Sequence, residues 1–281
     1  LFESVMDDRL PDSKDNLQKL VSGLNMPVAQ ADVLSFDGKN VYMKSQRLDL
    51  DGKRHEVETP TLRQQDQKGE TAHLFCPTGL LDDTWWHRSY WVYGRVWKSG
   101  AGGYYQAGHF APAGRPMVFD EKTVFSYGRR PQYYRWTTPM EYQLYAAERQ
   151  PQLIRPAAST KGPQKTAAKK SALTPPDEKI ATRWSQDVDI LTRAMILGGA
   201  ADLPTSPGEQ LILIAGAPDL INEVETLKTF KEARTQKQLA RQEAALRGAE
   251  GGRLRLVAAS NGQMLANLQL EDIPIFDGMA A

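Results

Sequence analysis

The sequence predicts an all-β protein, on two observations. Short runs rich in apolar, β-branched and aromatic residues recur along the chain, which is typical of strands. Turn-forming dipeptides separate several of these runs, and Asp37-Gly38, Asp51-Gly52 and Asn261-Gly262 supply the positive φ angles of tight hairpins. We therefore expect antiparallel strands connected by short turns.

The predicted strands fall into three groups, at about residues 31–93, 116–187 and 190–270, and each group has room for roughly four strands. The clearest strands are, in chain order, DVLSF (32–36), NVYMKSQ (40–46), RLDLD (47–51), PMVF (116–119), TVFSYG (123–128), EYQLYAAER (141–149), IATRWS (180–185), ILTRAMIL (190–197), EQLILIAG (209–216), RLRLVAAS (253–260) and QMLANLQL (263–270).

Repeated groups of four short strands are typical of propeller blades. The chain therefore predicts a partial β-propeller of about three four-stranded blades, because a closed ring needs four to eight blades. A β-sandwich is the alternative, and it explains the repeated grouping less well.

The last hairpin has the most regular pattern. In RLRLVAAS, arginines and leucines alternate, and side chains alternate across a strand. Leu254 and Leu256 are therefore expected to point inward. The arginines of the other face, Arg253 and Arg255, are then expected to point to solvent.

Two segments depart from the strand pattern. Residues 149–179 hold five prolines and seven Lys or Arg against two acids, which predicts a flexible, disordered insertion. A solvated loop is favoured there over a nucleic-acid-binding tail. Residues 222–247 predict one exposed helix that ends at Gly248 as its C-cap. Residues 1–30 form an uncertain N-terminal segment, in which 13–24 has the pattern of a short amphipathic helix.

Composition excludes several classes of protein. The 281 residues are 41% hydrophobic and 25% charged, as in ordinary globular proteins. The formal net charge of +1 gives no field that favours nucleic acid, and no run of about 18 apolar residues predicts a transmembrane segment. The single cysteine, Cys76, excludes an internal disulfide and a cysteine-based metal site. Because the chain starts at Leu1 and stops in mid-pattern, we expect a fragment of a longer protein.

Aromatic residues concentrate between residues 73 and 97, which contain four of the six tryptophans. Such density indicates either a rigid core or a recognition surface. If the segment is a recognition surface, its carboxylates would hold a cation or act as acid and base, and its aromatic rings would stack on a ligand. If the segment is part of the core, Asp82 and Asp83 form a turn before a buried strand. The candidate ligand-binding residues are Asp82, Asp83, Trp85, Trp86, His87, Arg88 and the loop residue His109.

Other candidates carry weaker patterns. His55 and His73 have no partners at the spacing of a metal site, and no serine lies in a nucleophile elbow. The aromatic residues Tyr133, Tyr134 and Trp136 lie among arginines, which is typical either of a single-strand-binding surface or of a solvated hairpin. We favour the hairpin, and no catalytic residue is assigned.

The hairpin LVAASNGQMLANLQL (256–270) resembles the strand–turn–strand repeat of quinoprotein-type β-propellers, and LYAAER (144–149) resembles the first half of that repeat. TGLLDDTWWHRSYWVYG (78–94), RAMIL (193–197) and IFDGMAA (275–281) resemble bacterial envelope proteins of the pyrroloquinoline-quinone-binding-like group. The resemblance covers most of residues 30–281, so it implies blades over residues 31–281, with the insertions at 149–179 and 222–247, and a periplasmic or cell-envelope location.

The resemblance also has departures. The repeat's docking tryptophan is replaced near Ala266, the adjacent cysteine pair of the quinone-dependent alcohol dehydrogenases is missing, and no Glu, Asn and Asp set for calcium stands out. We therefore expect a non-catalytic envelope scaffold that binds a protein partner or a small ligand. The alternative is a dehydrogenase dependent on pyrroloquinoline quinone and calcium, whose site is completed by blades outside this fragment.

Overall fold

The structure is a computed structural model that describes residues 3, 34–43, 46–55, 73–75, 91–94, 111–130, 133–134, 138–139, 141–149, 152–154, 173–174, 179–199 and 209–275. These residues belong to two compact units. Unit 1 takes its described residues from Leu1–Gly114, Arg149–Ile154 and Glu178–Ile180. Unit 2 takes them from Arg115–Glu148, Arg155–Asp177 and Ala181–Ala281.

Strands predominate among the described residues, which confirms the all-β prediction at this level. The strands are β1 (Leu34–Phe36), β2 (Val41–Met43), β3 (Gln46–Leu48), β4 (His73–Phe75), β5 (Trp91–Gly94), β6 (Ala113–Gly114), β7 (Met117–Phe119), β8 (Thr123–Arg129), β9 (Tyr133–Tyr134), β10 (Thr138–Pro139), β11 (Tyr142–Glu148), β12 (Leu153–Ile154), β13 (Leu173–Thr174), β14 (Lys179–Ile180), β15 (Thr182–Gln186), β16 (Ile190–Gly199), β17 (Gln210–Pro218), β18 (Gly252–Ala258) and β19 (Met264–Leu270). Two helices follow β17 in the described chain, α1 (Glu223–Lys228) and α2 (Ala233–Leu246).

Unit 1 contains two three-stranded antiparallel sheets, β1-β2-β3 and β4-β5-β6. The predicted hairpin at Asp37-Gly38 is confirmed: Gly38 has a φ of 94°, and the Asp37 carboxylate accepts from the backbone N–H of Asn40 at 2.7 Å. The prediction that residues 31–93 form one group of strands is otherwise wrong. Among the described residues this group supplies strands to two sheets rather than one, and β6 comes from beyond residue 93.

Unit 2 is built on two four-stranded antiparallel sheets, β7-β8-β11-β15 and β16-β17-β18-β19. In each sheet the strands lie side by side in the order in which the chain forms them. These are the second and third groups that the sequence predicts. The sheet strands end within a few residues of the predicted bounds because local alternation and turn residues determine where a strand can begin and end.

The predicted insertion at 149–179 contributes some strands. Leu153–Ile154 pairs with β14, and Leu173–Thr174 pairs with β9, which itself forms a hairpin with β10. Pairing partners at this distance in the sequence leave no local pattern, so sequence analysis missed these strands. The predicted flexibility of residues 155–172 lies outside the described residues, as does the predicted helix at 13–24.

The two four-stranded sheets share one apolar core, since side chains from both pack into a single cluster. The first sheet contributes mainly aromatic and small side chains, and the second mainly aliphatic ones. The fully buried members include Leu144 and Ala146 of β11, Ile190 of β16, and Ile212 and Ile214 of β17. Burial of this apolar area is the main term that holds the sheets face to face.

The structure reverses the predicted orientation of β18. Arg255 is only 5% exposed, and Val257 on the same strand face lies in the apolar core. Leu254 and Leu256 are partly exposed. The alternation is present as predicted, but the face with the arginines is the one that meets the opposite sheet. Arg255 is tolerated there because an acidic partner lies beside it.

The predicted single helix at 222–247 is divided into α1 and α2. Asn222 caps α1, since its side chain accepts from the backbone N–H of Glu225 at 2.8 Å. The Thr229 hydroxyl donates to the carbonyl of Glu225 at 3.0 Å, a bond that competes with continued helix. The C-cap of α2 is Arg247, and Gly248 follows it in a left-handed conformation with a φ of 100°, so the helix is capped one residue before the predicted position. Neither described helix is long and apolar enough to cross a membrane.

The two sheets of unit 2 interlock at one tryptophan. The Trp184 indole N–H of β15 donates to the carbonyl of Ala259 at 2.9 Å, and Gly262 in the next sheet's hairpin lies against the indole ring. A Cβ atom at Gly262 would come within 2.7 Å of that ring. Asn261-Gly262 is thus both a turn and a docking surface.

We expect Gly262→Ala to destabilise unit 2 more than Gly248→Ala does. Both glycines have positive φ, so both variants carry backbone strain, but a Cβ at Gly248 meets its nearest atom at an ordinary 3.7 Å. The added cost of overpacking Trp184 should be about 1–3 kcal/mol, measured by denaturant unfolding. In a Trp184→Ala background the two glycine variants should become equivalent. An unchanged difference in that background would contradict the docking interpretation.

Candidate functional site

A cleft of about 500 Å³ lies in unit 2. Its walls come from the segments that follow β8, precede β11, join β15 to β16 and follow β17, together with β18 and the start of β19. Chain segments that leave strands are free of the sheet ladder, so they can present polar side chains to a common space. The volume is that of an ordinary small-molecule site.

Arg255 and Asp189 form the centre of one wall. The Arg255 Nη2 atom donates to Asp189 Oδ1 at 2.8 Å and to Oδ2 at 2.9 Å. Arg253 also donates to the Asp189 carboxylate. Partial burial acts to raise the pKa of Asp189, but the hydrogen bond and the charges of the two arginines outweigh it, so the pKa is below its usual value.

The rest of the Arg255 guanidinium has no partner. Its Nε and Nη1 atoms are buried and make no hydrogen bond to the described part of the chain. Buried donors of this kind are uncommon, and a charged one is costly to leave unsatisfied. Arg255 therefore has donors that no described residue uses, and these donors lie beneath the accessible surface of the cleft wall.

Asp219 lies after β17, and its carboxyl differs from that of Asp189 because its pKa is raised and not lowered. Burial, together with the nearby carboxylates of Glu223 and Glu141, raises its pKa to about 6, although the Ile221 backbone N–H and Arg129 act in the opposite direction. The Asp219 backbone N–H donates to the carbonyl of Asp189 at 3.1 Å. The unpaired carboxyl is thus held beside the ion pair of Arg255.

Glu141 fixes the position of α1 against this site. It has a φ of 58°, a left-handed conformation that costs a non-glycine residue about 1–2 kcal/mol. Two hydrogen bonds hold it there: its backbone N–H donates to Glu223 Oε2 at 2.8 Å, and its Oε1 accepts from the Val224 N–H at 3.0 Å. Arg129 forms an ion pair with Glu223, and the Glu223 carboxylate still acts to raise the pKa of the neighbouring Asp219.

Tyr142 provides an aromatic wall. Its ring stacks on Tyr127 with centroids 4.8 Å apart, and the Arg129 guanidinium lies 3.8 Å from the Tyr142 centroid on a cation–π contact. Burial raises the pKa of Tyr127 well above its usual value, so its hydroxyl stays protonated. The Tyr142 ring is thus held by a stacking contact and a cation–π contact.

The described part of the cleft supports binding. It combines the Arg255–Asp189 ion pair, a second ion pair between Arg130 and Asp187, the Asp219 carboxyl, which forms no ion pair with a described residue, and an apolar wall. Within the described residues, no group of three histidine, cysteine or acidic side chains is placed to hold a metal ion. Recognition of a small polar molecule is the chemistry that these groups support.

The candidates from the aromatic segment lie outside the described residues. These are Asp82, Asp83, Trp85, Trp86, His87, Arg88 and His109, and their role as a ligand surface stays a prediction. His55, predicted to have no partner, in fact lies 3.2 Å from Asp49 through its Nε2 atom. The predicted hairpin at Tyr133 and Tyr134 forms with β10, but β9 is the central strand of the sheet β10-β9-β13 and not an edge, and the predicted solvation of its side chains stays a prediction.

Sequence reasoning missed the residues of the cleft. Arg255 carried one usable sign, because Val257 shares its strand face and a buried Val257 implies a buried Arg255. Asp219 carried none, since most of the residues that share the cleft with it come from distant parts of the chain. No protein family model, curated protein or solved structure matches this chain.

We expect Asp219→Asn to stabilise unit 2 at neutral pH and to lose this advantage in acid. The folded pKa of about 6 exceeds the usual 3.8, so the folded state holds its proton more tightly than the unfolded state. Asp219 therefore costs stability progressively as the pH rises from 3.8 through about 6. Melting temperatures of parent and variant across this range test the sign, and the exposed Asp272→Asn is the control. A parallel pH response of the Asp219 variant and the parent would contradict it.

Proposed function

We propose that this chain is part of a quinoprotein-type β-propeller of the bacterial envelope, and that it acts as a non-catalytic scaffold binding a small ligand in the cleft. The observation that carries the function is the cleft of about 500 Å³, whose wall combines the Arg255–Asp189 ion pair, the carboxyl of Asp219 and apolar side chains. A concave site with a few convergent polar groups beside an apolar wall is typical of small-molecule binding.

The order of the strands supports the propeller. Two consecutive four-stranded sheets, each formed in chain order, pack face to face on one core. The β17 strand is buried on both faces, because Ile212 and Ile214 lie in the core and Ala215 and Ala217 are buried on the other side, where α2 packs. The outer face of a two-sheet sandwich is usually polar.

Trp184 supports the family assignment. It is paired with Ala146 of LYAAER, the segment that resembles the first half of the quinoprotein repeat. The repeat has a docking tryptophan, and Trp184 contacts the Ala259–Gly262 hairpin of the following sheet. We infer that Trp184 is this tryptophan, separated from its alanine by the insertion at 149–179.

The dehydrogenase alternative has less support. Among the described residues, no acidic cluster is placed to hold calcium. The pair of adjacent cysteines is missing from the sequence, which has one cysteine. Turnover of alcohols or sugars by the protein with pyrroloquinoline quinone, calcium and an artificial electron acceptor would contradict the non-catalytic part of the proposal.

A steric block tests the cleft without assuming a ligand. Small polar compounds that raise the melting temperature of the protein are collected first, and their affinity is measured by calorimetry. Ile221→Trp adds bulk to the cleft wall and should weaken these compounds by at least about tenfold. Phe230→Trp is the control, because Phe230 is 53% exposed and does not line the cleft.

Binding of the same compounds distinguishes the two candidate ligand surfaces, the cleft and the aromatic segment at residues 73–97. Asp83→Asn and His87→Ala change the aromatic segment, and they should leave binding in the cleft unchanged. If these two variants abolish binding and Ile221→Trp does not, the ligand site is the aromatic segment and the cleft assignment is wrong.

A further inference from the structure

Strand β19 is the outer edge of its sheet and lies open to solvent. It pairs with β18 on one side, and no described strand pairs with its other side. Six of its seven residues are exposed, among them Met264 at 55% and Leu268 at 59%. The backbone N–H and C=O groups on the open side of such a strand can pair with a strand of another chain.

The other three edge strands of the two described four-stranded sheets carry features that oppose such pairing. β7 is three residues long and lies between Pro116 and Asp120, β15 contains Arg183, and β16 contains Arg193. β19 contains no charged residue and no proline. An edge strand without charge or proline is a typical site of strand addition.

The side chains of β19 continue an apolar face of the sheet. Leu268 lies opposite Leu254 of β18, and Ala266 lies opposite Leu256. Both β18 leucines are partly exposed, so water reaches this face at its β19 end. A strand added beside β19 would extend both cross-strand rows and remove Leu268 from water.

The order of residues in β19 is complementary to itself. When two copies of the strand run antiparallel about a two-fold axis at Asn267, each Leu268 lies opposite Ala266 of the other copy, a large side chain against a small one. The two Asn267 amides then face each other, and each amide supplies both donors and an acceptor. No like charges meet within the pair of strands, because the strand has no charge. These features favour a second copy of this chain as the partner.

This pairing also closes the open edge. In each of two rows, Leu254 and Leu268 of one copy continue into Ala266 and Leu256 of the second copy, so four apolar side chains lie side by side across the junction. Both β19 edges are used, and β16 remains at each end of the combined sheet. An isologous contact of this kind stops at two chains.

We propose that β19 is a dimerisation strand, which pairs antiparallel with β19 of a second copy of this chain about a two-fold axis at Asn267. The two four-stranded sheets then form one continuous sheet across the dimer. The inference goes beyond the ligand cleft and does not depend on it.

The mass of the chain in solution tests the pairing. Light scattering between about 1 and 100 µM should show the dimer at the upper end of this range. Leu268→Lys places a charge on the open edge at an exposed position, so it should keep the fold and raise the dissociation constant of the dimer at least about tenfold. Phe230→Lys is the matched control, because Phe230 is 53% exposed and lies between the two helices, so this variant should dimerise like the parent.

A cross-link tests the register. In a Cys76→Ser background, Asn267→Cys places two thiols directly opposite each other, at a Cα separation of about 4.5–5.5 Å that a disulfide can span. Gln269→Cys is the control, because its two copies would lie four residues apart along the paired strands, or about 14 Å. Under air oxidation the first variant should form a covalent dimer and the second should not.

Melting curves establish that each variant is folded. A parent chain that is monomeric at about 100 µM, assemblies larger than a dimer, or equal weakening by the two lysine variants would overturn the proposal. A cross-link through Gln269→Cys but not through Asn267→Cys would overturn the register. A monomeric chain that binds an extended apolar peptide along β19 would show that the edge serves another partner, and it would overturn the assignment to a second copy.

Discussion

The ion pair between Arg255 and Asp189 is the interaction on which the cleft depends. Asp189 lies in the short link between the two four-stranded sheets, and Arg255 lies on the face of β18 that meets the first sheet. Burying a lone guanidinium would be prohibitive, so Asp189 is what permits an arginine at this position. Because the Asp189 side chain is 59% exposed, the pair is partly solvated and stabilises less than a fully buried one would.

The link between the two sheets also positions the polar side chains of the cleft. Asp189 holds β18 through its carboxylate and the end of β17 through its carbonyl, so the position of Asp219 follows from the position of the ion pair. Before β11, Glu141 has a strained left-handed backbone, and its side chain accepts a hydrogen bond from the first turn of α1. Strained or costly groups concentrated around one cavity are a common property of ligand sites.

Trp184 fixes the two four-stranded sheets against each other. Its ring lies on Gly262 and its N–H is bonded to Ala259, so the first sheet is fixed against the hairpin of the second by shape and by a directional bond. Apolar packing alone would tolerate sliding of one sheet over the other. A hydrogen bond at a close approach of backbone and ring restricts that freedom, and it thereby keeps the cleft walls in register.

Much of the fold could be predicted from the sequence, because strands, hairpins and caps are local. The strands of the two four-stranded sheets, the turn at Asp37-Gly38 and the left-handed Gly248 after α2 each depend on residues a few positions apart. The sequence by itself determined where those strands and turns lie, but not the short strands whose partners are distant in the chain. Only the tertiary structure decided which face of β18 is buried, which residue docks on Gly262, and that Arg255 and Asp219 share a cleft. Those outcomes depend on contacts between segments far apart in the chain, and periodicity within one segment carries no information about its partner.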